Sequence, residues 1–153
     1  MNDERYILVI ADNSKEMGTA LEYACARSKK TGRKIIIATF IEPLDVLTTQ
    51  GVTEIMKNEA REEAEKLLNK ASSYVKNKTG DIPALAMREG ETITELKKLI
   101  EEEENINVLV LAANSDPKNK KSNVIINSLV SQEITDMRVP VMIVPGNFSK
   151  DHI

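Results

Sequence analysis

A chain of 153 residues, 41% hydrophobic and 29% charged, holds enough apolar material for one well-packed domain, residues 1–153. Its net charge of −3 offers no positive field for nucleic acid or anionic lipid, and 3% aromatics without tryptophan argue against base-stacking platforms. The single cysteine, Cys25, excludes an intramolecular disulfide and fits a reducing compartment. The opening "MNDERYILVIAD" lacks the basic start and cleavage pattern of a signal peptide, and no apolar run approaches the roughly 18 residues of a membrane span. The expected location is the cytoplasm, with no membrane and no nucleic-acid partner.

The elements follow in chain order. "RYILVIA" (Arg5–Ala11) is a short apolar run without alternation, as expected of a strand buried on both faces. Asp12–Ser14 carries turn and N-cap chemistry. Met17, Ala20, Leu21, Ala24 and Cys25 then trace one stripe of a helix that Gly32 should stop. "RKIIIATFI" (Arg33–Ile41) reads as a second buried strand, and Glu42–Gly51 as a loop broken by Pro43 and Gly51. A long charged helix should run from about Val52 to Lys78, its apolar positions being Ile55, Met56, Ala60, Ala64, Leu67, Leu68, Ala71 and Val75, with Gly80 as its stop.

Pro83–Glu89 is a weaker strand whose leading proline suits a sheet edge. "TITE" (Thr92–Glu95) has the form of a capping box, and Ile93, Leu96, Leu99 and Ile100 supply the buried face of the helix it opens. Negative charge from Glu101 to Glu104 lies at that helix's C-terminus, where the macrodipole disfavours it; the run reads as a solvated acidic corner. Ile106–Ala113 is the fourth strand, a helix should span roughly Asn123 to Asp136, and Val139–Pro145 is the fifth strand. Regular alternation of strands and helices predicts an α/β fold. The expected form is a flavodoxin-like or Rossmann-like, doubly wound, five-stranded parallel sheet of order 3-2-1-4-5, with right-handed crossovers.

Ligands of such sheets bind outside the carboxyl ends of strands where the order reverses. Two loops reach that edge, Asp12–Ser14 and Asn114–Lys121. The second stands where a phosphate cradle would sit, yet no glycine occurs between Val108 and Ser128, and Pro117 removes a backbone donor. It reads either as a plain surface loop or as an anion site built on Lys118, Lys120 and Lys121. Asp12 reads as a helix cap or loop brace. Phe40, near the end of the second strand, reads as core filler.

Catalytic chemistry has little to work with. The one histidine, His152, is next to the last residue, and Ser14, Ser115 and Ser128 have no other imidazole to act as base. Cys25 on an apolar stripe suits a buried thiol, and no Cys/His cluster points to zinc.

Three stretches resemble the universal stress protein family: "YILVIADNS", "VLVLAANS" and "NSLVSQEITDMRVPVMIVP". The resemblance runs in order over nearly the whole chain. It implies that Asp12 matches an aspartate contacting the ribose or base of a nucleotide, and that Phe40 aligns with an apolar residue beside adenine. ATP-binding members carry Gly-x2-Gly-x9-Gly-Ser/Thr after the fourth strand. In this sequence the glycine positions fall on Ala112, Ser115 and Asn127, with Ser128 the like-for-like match, and the spacing is about two residues longer.

Side chains at Ala112, Ser115 and Asn127 should deny a triphosphate the bare amide nest it requires. The resemblance also implies a homodimer through the last strand, at Val139, Val141, Met142, Ile143 and Val144. The leading expectation is a non-enzymatic, dimeric stress-response or regulatory protein without strong ATP binding and with no required cofactor. The alternative is a module for ATP, AMP or another phosphate ligand, using Asp12, Phe40, Ser128 and the Lys118–Lys121 loop. A slow residual ATPase or phosphotransferase is a third reading.

Overall fold

Among the described residues five strands and four helices alternate: β1 (Tyr6–Ile10), α1 (Met17–Thr31), β2 (Lys34–Ile41), α2 (Gln50–Thr79), β3 (Ala84–Glu89), α3 (Thr92–Glu102), β4 (Ile106–Ala113), α4 (Val124–Ser128) and β5 (Val141–Pro145). They are those of a computed structural model, which describes residues 4–12, 14, 16–42, 50–113, 124–130 and 136–147; for 50–53 and 124 the description is of backbone alone. The sheet is parallel and ordered β3-β2-β1-β4-β5, as the alternation of elements requires. Among the described residues, no helix is long and apolar enough to cross a membrane.

The central strands are apolar at consecutive positions because both sheet faces are covered. Ile7 and Val9, in register with Ile35 and Ile37, face the layer holding Leu21, Ala24 and Cys25 of α1 and Leu68, Ala71 and Val75 of α2. Leu8 and Ile10, with Ile36, Ala38, Leu109 and Leu111, face Leu96, Leu99 and Ile100 of α3. Each of those three α3 side chains is at most 2% exposed, and burying each contributes about 1.5–3 kcal/mol. The β1–β4 register slips between Tyr6 and Ile7, leaving Asn107 without a Cα partner in β1. Its Oδ1 is buried and lacks a hydrogen-bond partner among the described residues.

Helix ends differ in detail from the sequence reading. The N-cap of α1 is Glu16, in helical conformation and without a side-chain cap, while Asp12 Oδ1 accepts from the Ser14 N–H at 3.0 Å. Asp12 therefore braces the chain ahead of the helix and does not cap it. At the other end Gly32 adopts φ +77° and donates to the Ser28 carbonyl, as expected of a left-handed stop.

The cap of α3 is shifted by one residue. Glu91 is the N-cap, its carboxylate accepting from the N–H groups of Ile93 and Thr94 and from the Thr94 hydroxyl, and Thr92 is already helical. A longer side chain reaches the same orphan donors from one position earlier. The Thr94 hydroxyl, then the two N–H groups, hold the Glu91 carboxyl below its ordinary range.

In α2, Ala64, Leu68, Ala71 and Val75 are buried, but Ile55, near the start of the helix, is 60% exposed. The fifth strand begins at Val141, with Val139 and Pro140 leading into it. Residues 131–135 of the expected fourth helix lie outside the described residues.

The acidic corner at the end of α3 is not simply solvated. Arg138, just ahead of β5, lies against it: Nη2 donates to the carbonyls of Ile100 (2.5 Å) and Glu103 (3.0 Å), and Nη1 to those of Ile106 (3.2 Å) and Glu104 (3.4 Å). One guanidinium thus satisfies last-turn carbonyls and sets a positive charge where the helix dipole and Glu101–Glu104 are negative.

Pro83 is followed by β3 at one sheet edge, where the sequence placed it. Ion pairs Lys34–Asp81, Arg61–Glu89 and Arg88–Glu102 surround that edge. Exposed pairs contribute little stability; charge here keeps an open edge hydrated and unattractive to other strands.

Candidate functional site: a cleft over the ends of β1 and β2

Strand order reverses between β1 and β4, so their carboxyl ends and that of β2 bound the cleft expected of this topology. Hydrogen bonds hold its floor. Just past β1, the Ala11 N–H donates to the Ala38 carbonyl at 2.8 Å, and the buried Thr39 hydroxyl donates to the Ala11 carbonyl at 2.8 Å. Asp12 follows at once, exposed, its carboxylate braced by the Ser14 N–H.

Above this floor lies a cavity of about 570 Å³. Ile10, Ala11 and Asp12 bound it from β1, and Thr39, Phe40 and Ile41 from β2. Along α2, Ala60, Ala64 and Leu67 give an apolar wall, and Glu63, Lys66 and Lys70 give a charged one; Thr92 and Ile125 complete the lining. Phe40 is half-buried and packs on the α3-side core as well, so it is both core and wall. At the rim the Thr92 hydroxyl donates to Glu42 Oε1 at 2.8 Å, and the Gly90 N–H to the Ile41 carbonyl at 2.9 Å, tying the start of α3 to the end of β2.

Between β1 and β4 the opening bounded by described residues is far smaller. An opening of about 20 Å³ is lined by Asp12, Ser14, Met17, Ala20, Leu111, Ala112, Ile125 and Ile126. That volume suits roughly one water. Apolar side chains at the start of α4 stand close to the end of β4.

The residues singled out in the sequence therefore separate. Asp12 and Phe40 share the large cavity, and Ala112 meets Asp12 in the small one. Asn127, exposed, and Ser128, half-buried, lie on α4 and line neither opening. Ser115, Lys118, Lys120 and Lys121 lie outside the described residues.

The sequence reading passed over Thr39 and the charged side of α2. Glu63, Lys66 and Lys70 are spaced by three and four residues, so they share a helix side with Leu67; that spacing was the available signal. It also passed over Gly146. A Cβ there would lie 2.5 Å from the Ala113 carbonyl oxygen, and the Thr19 hydroxyl donates to the Gly146 carbonyl at 2.9 Å. Only a glycine lets the chain leave β5 so close to the end of β4.

Cys25 is 3% exposed, and burial pushes its thiol up to about 11, so it is protonated at neutral pH. Among the described residues, no group of three or more His, Cys, Asp or Glu side chains could hold a metal ion.

The sequence matches the model of the universal stress protein family over residues 5–145. No curated protein matches it. Among solved structures, the universal stress protein UspA from Lactobacillus plantarum superposes with a TM-score of 0.76 at 14% identity, over 94% of this chain and 99% of its own. A universal stress protein in complex with cAMP gives 0.64 at 17% identity, over 94% and 98%. The universal stress protein from Archaeoglobus fulgidus in complex with dAMP gives 0.60 at 15% identity, over 94% and 99%. Such identities establish a common fold, and the family match spans nearly the whole chain: this chain belongs to the universal stress protein family.

Proposed function

We propose that this protein is a non-enzymatic, cytoplasmic, homodimeric regulator whose cavity takes a ligand about the size of a mononucleotide and not a triphosphate. The observation that carries the reading is the contrast between the two openings. About 570 Å³ over β1 and β2 lies within the range of small-molecule sites, whereas the opening between β1 and β4 measures about 20 Å³ among the described residues. Ala112, Ile125 and Ile126 narrow the second opening, in keeping with the missing glycines at Ala112, Ser115 and Asn127. The relatives solved with cAMP and dAMP carry ligands of the expected size. Within the cavity Asp12 would accept from ligand hydroxyl or N–H groups, and Phe40 would pack against a flat ring.

A thermal-shift titration with ATP, AMP and cAMP tests this. A rise in Tm that grows with AMP or cAMP concentration and is no larger with ATP is expected. Stoichiometric ATP retained by the purified protein would overturn the exclusion of triphosphate.

Dimerisation draws on a separate observation. Strand β5 lies at the sheet edge opposite β3 and shows Met142 and Ile143 at 43% and 38% exposure. Among the described residues no further strand pairs with that edge; an apolar edge of that kind calls for a partner, and a twofold mate is the commonest solution. Val139 and Val144 are buried in the protomer's own core, so the contact would use β5's backbone with Met142, Ile143 and the half-buried Val141. Sedimentation should find a dimer, converted to monomer by M142K/I143K. A monomeric native protein at micromolar concentration would sink this part of the reading.

A further inference from the structure

The cavity has an unequal distribution of charge along α2. Glu63 lies nearest the helix N-terminus, followed by Lys66 and then Lys70. At 1.5 Å per residue the two lysines are about 6 Å apart along the axis, a spacing at which two ammonium groups can converge on one anion. Neither lysine has an ion pair or hydrogen bond among the described residues, although the protein forms exposed pairs elsewhere, such as Lys98–Glu95 and Arg61–Glu89. Both therefore present positive charge to a cavity that also holds the carboxylates of Asp12 and Glu63, the hydroxyls of Thr39 and Thr92, and an apolar wall that includes Ala60, Ala64, Leu67 and Phe40. A cavity with carboxylates at Asp12 and Glu63, an apolar wall and two ammonium groups without an ion pair among the described residues matches a flat ring system that bears hydroxyl or N–H donors and a single anionic group.

We infer that Lys66 and Lys70 are the anion-binding groups of this site, so that a phosphate is held from α2 and not from the segment after β4. The inference rests on the reading of the cavity as a mononucleotide-sized ligand site, and it adds the residues that select for a charged ligand. Nucleoside monophosphates are the class it names. The phosphate would be partly solvated, since both lysines are exposed, and would contribute about tenfold to affinity and not a thousandfold.

The test is calorimetric titration of the full chain with AMP, adenosine and inorganic phosphate, on native protein and on K66Q/K70Q. Glutamine keeps helix propensity and length at two exposed positions, so the variant should retain its circular dichroism spectrum and Tm. Native protein should bind AMP about tenfold more tightly than adenosine. In K66Q/K70Q that advantage should fall below about threefold with adenosine affinity unchanged.

Equal binding of AMP and adenosine by native protein would overturn the inference and leave the cavity reading in place. So would a preference for AMP that survives in K66Q/K70Q, or one that disappears instead when Lys118, Lys120 and Lys121 are replaced by glutamine. Phosphate alone binding as tightly as AMP would overturn the shared role of ring and anion. No binding of either AMP or adenosine would overturn the cavity reading, and the inference with it.

Discussion

Replacing Arg138 by alanine should destabilise the fold by about 2–3 kcal/mol, and the structure apportions that figure. Four carbonyls accept from the guanidinium, but they do not count equally. Glu103 and Glu104 are exposed, so water replaces the lost donor there at little cost. Ile100 and Ile106 are buried residues, and their carbonyls lose donors that water reaches poorly, costing about 1 kcal/mol each. Removing a positive charge from the end of α3, beside four consecutive glutamates, costs about 0.5 kcal/mol more. For a domain of this length the sum corresponds to a fall in Tm of roughly 5–10 °C. Urea unfolding followed by circular dichroism measures it as a lower midpoint at unchanged slope. Arg138→Lys should recover less than half the loss, because an ammonium point charge cannot fork to four acceptors. A loss under about 0.5 kcal/mol in Arg138→Ala, or full recovery by lysine, would refute the idea that planar hydrogen bonding holds this corner.

Glycine-to-alanine substitutions should act in opposite directions at two sites. At Gly146 the new methyl meets the Ala113 carbonyl oxygen at 2.5 Å, so a loss of about 1–3 kcal/mol is expected; at Gly18 nothing lies within 4 Å and α1 should gain up to about 1 kcal/mol, both read by urea midpoint. Cys25 should resist thiol reagents at pH 8 in the native state and react on unfolding. Its folded pKa is raised from an ordinary 9.0 to about 11, so the stability from burying a neutral thiol is complete below pH 9 and is lost as pH rises through 11; Cys25→Ala should flatten that alkaline decline. Glu91 works in the other direction: its folded pKa is depressed, so its contribution is present above its ordinary 4.5 and is lost as pH falls through the lower folded value. Glu91→Ala should cost about 0.5–1 kcal/mol at pH 7 and less at pH 3.

Strand and helix order, sheet topology and both core layers were legible in the sequence. The reason is that each rests on a repeating physical demand. Ile7 to Ile10 are apolar in unbroken succession because both sheet faces are covered, and Leu96, Leu99 and Ile100 recur at helical spacing because one face is. Parallel order then follows from alternation, and with it the position of the cleft and the presence there of Asp12 and Phe40.

Features that join segments distant along the chain were not legible. Arg138 caps a helix that ended 36 residues earlier, Gly146 rests on the end of β4, and Lys66 and Lys70 become cavity-lining only once α2 is laid beside β1 and β2. No local period marks such residues, since an isolated arginine, glycine or lysine pair satisfies its own helix or turn equally well on a bare surface. Their roles depend on which carbonyl, backbone or cavity tertiary packing brings within 3 or 4 Å, and that is set by the joint packing of all the layers.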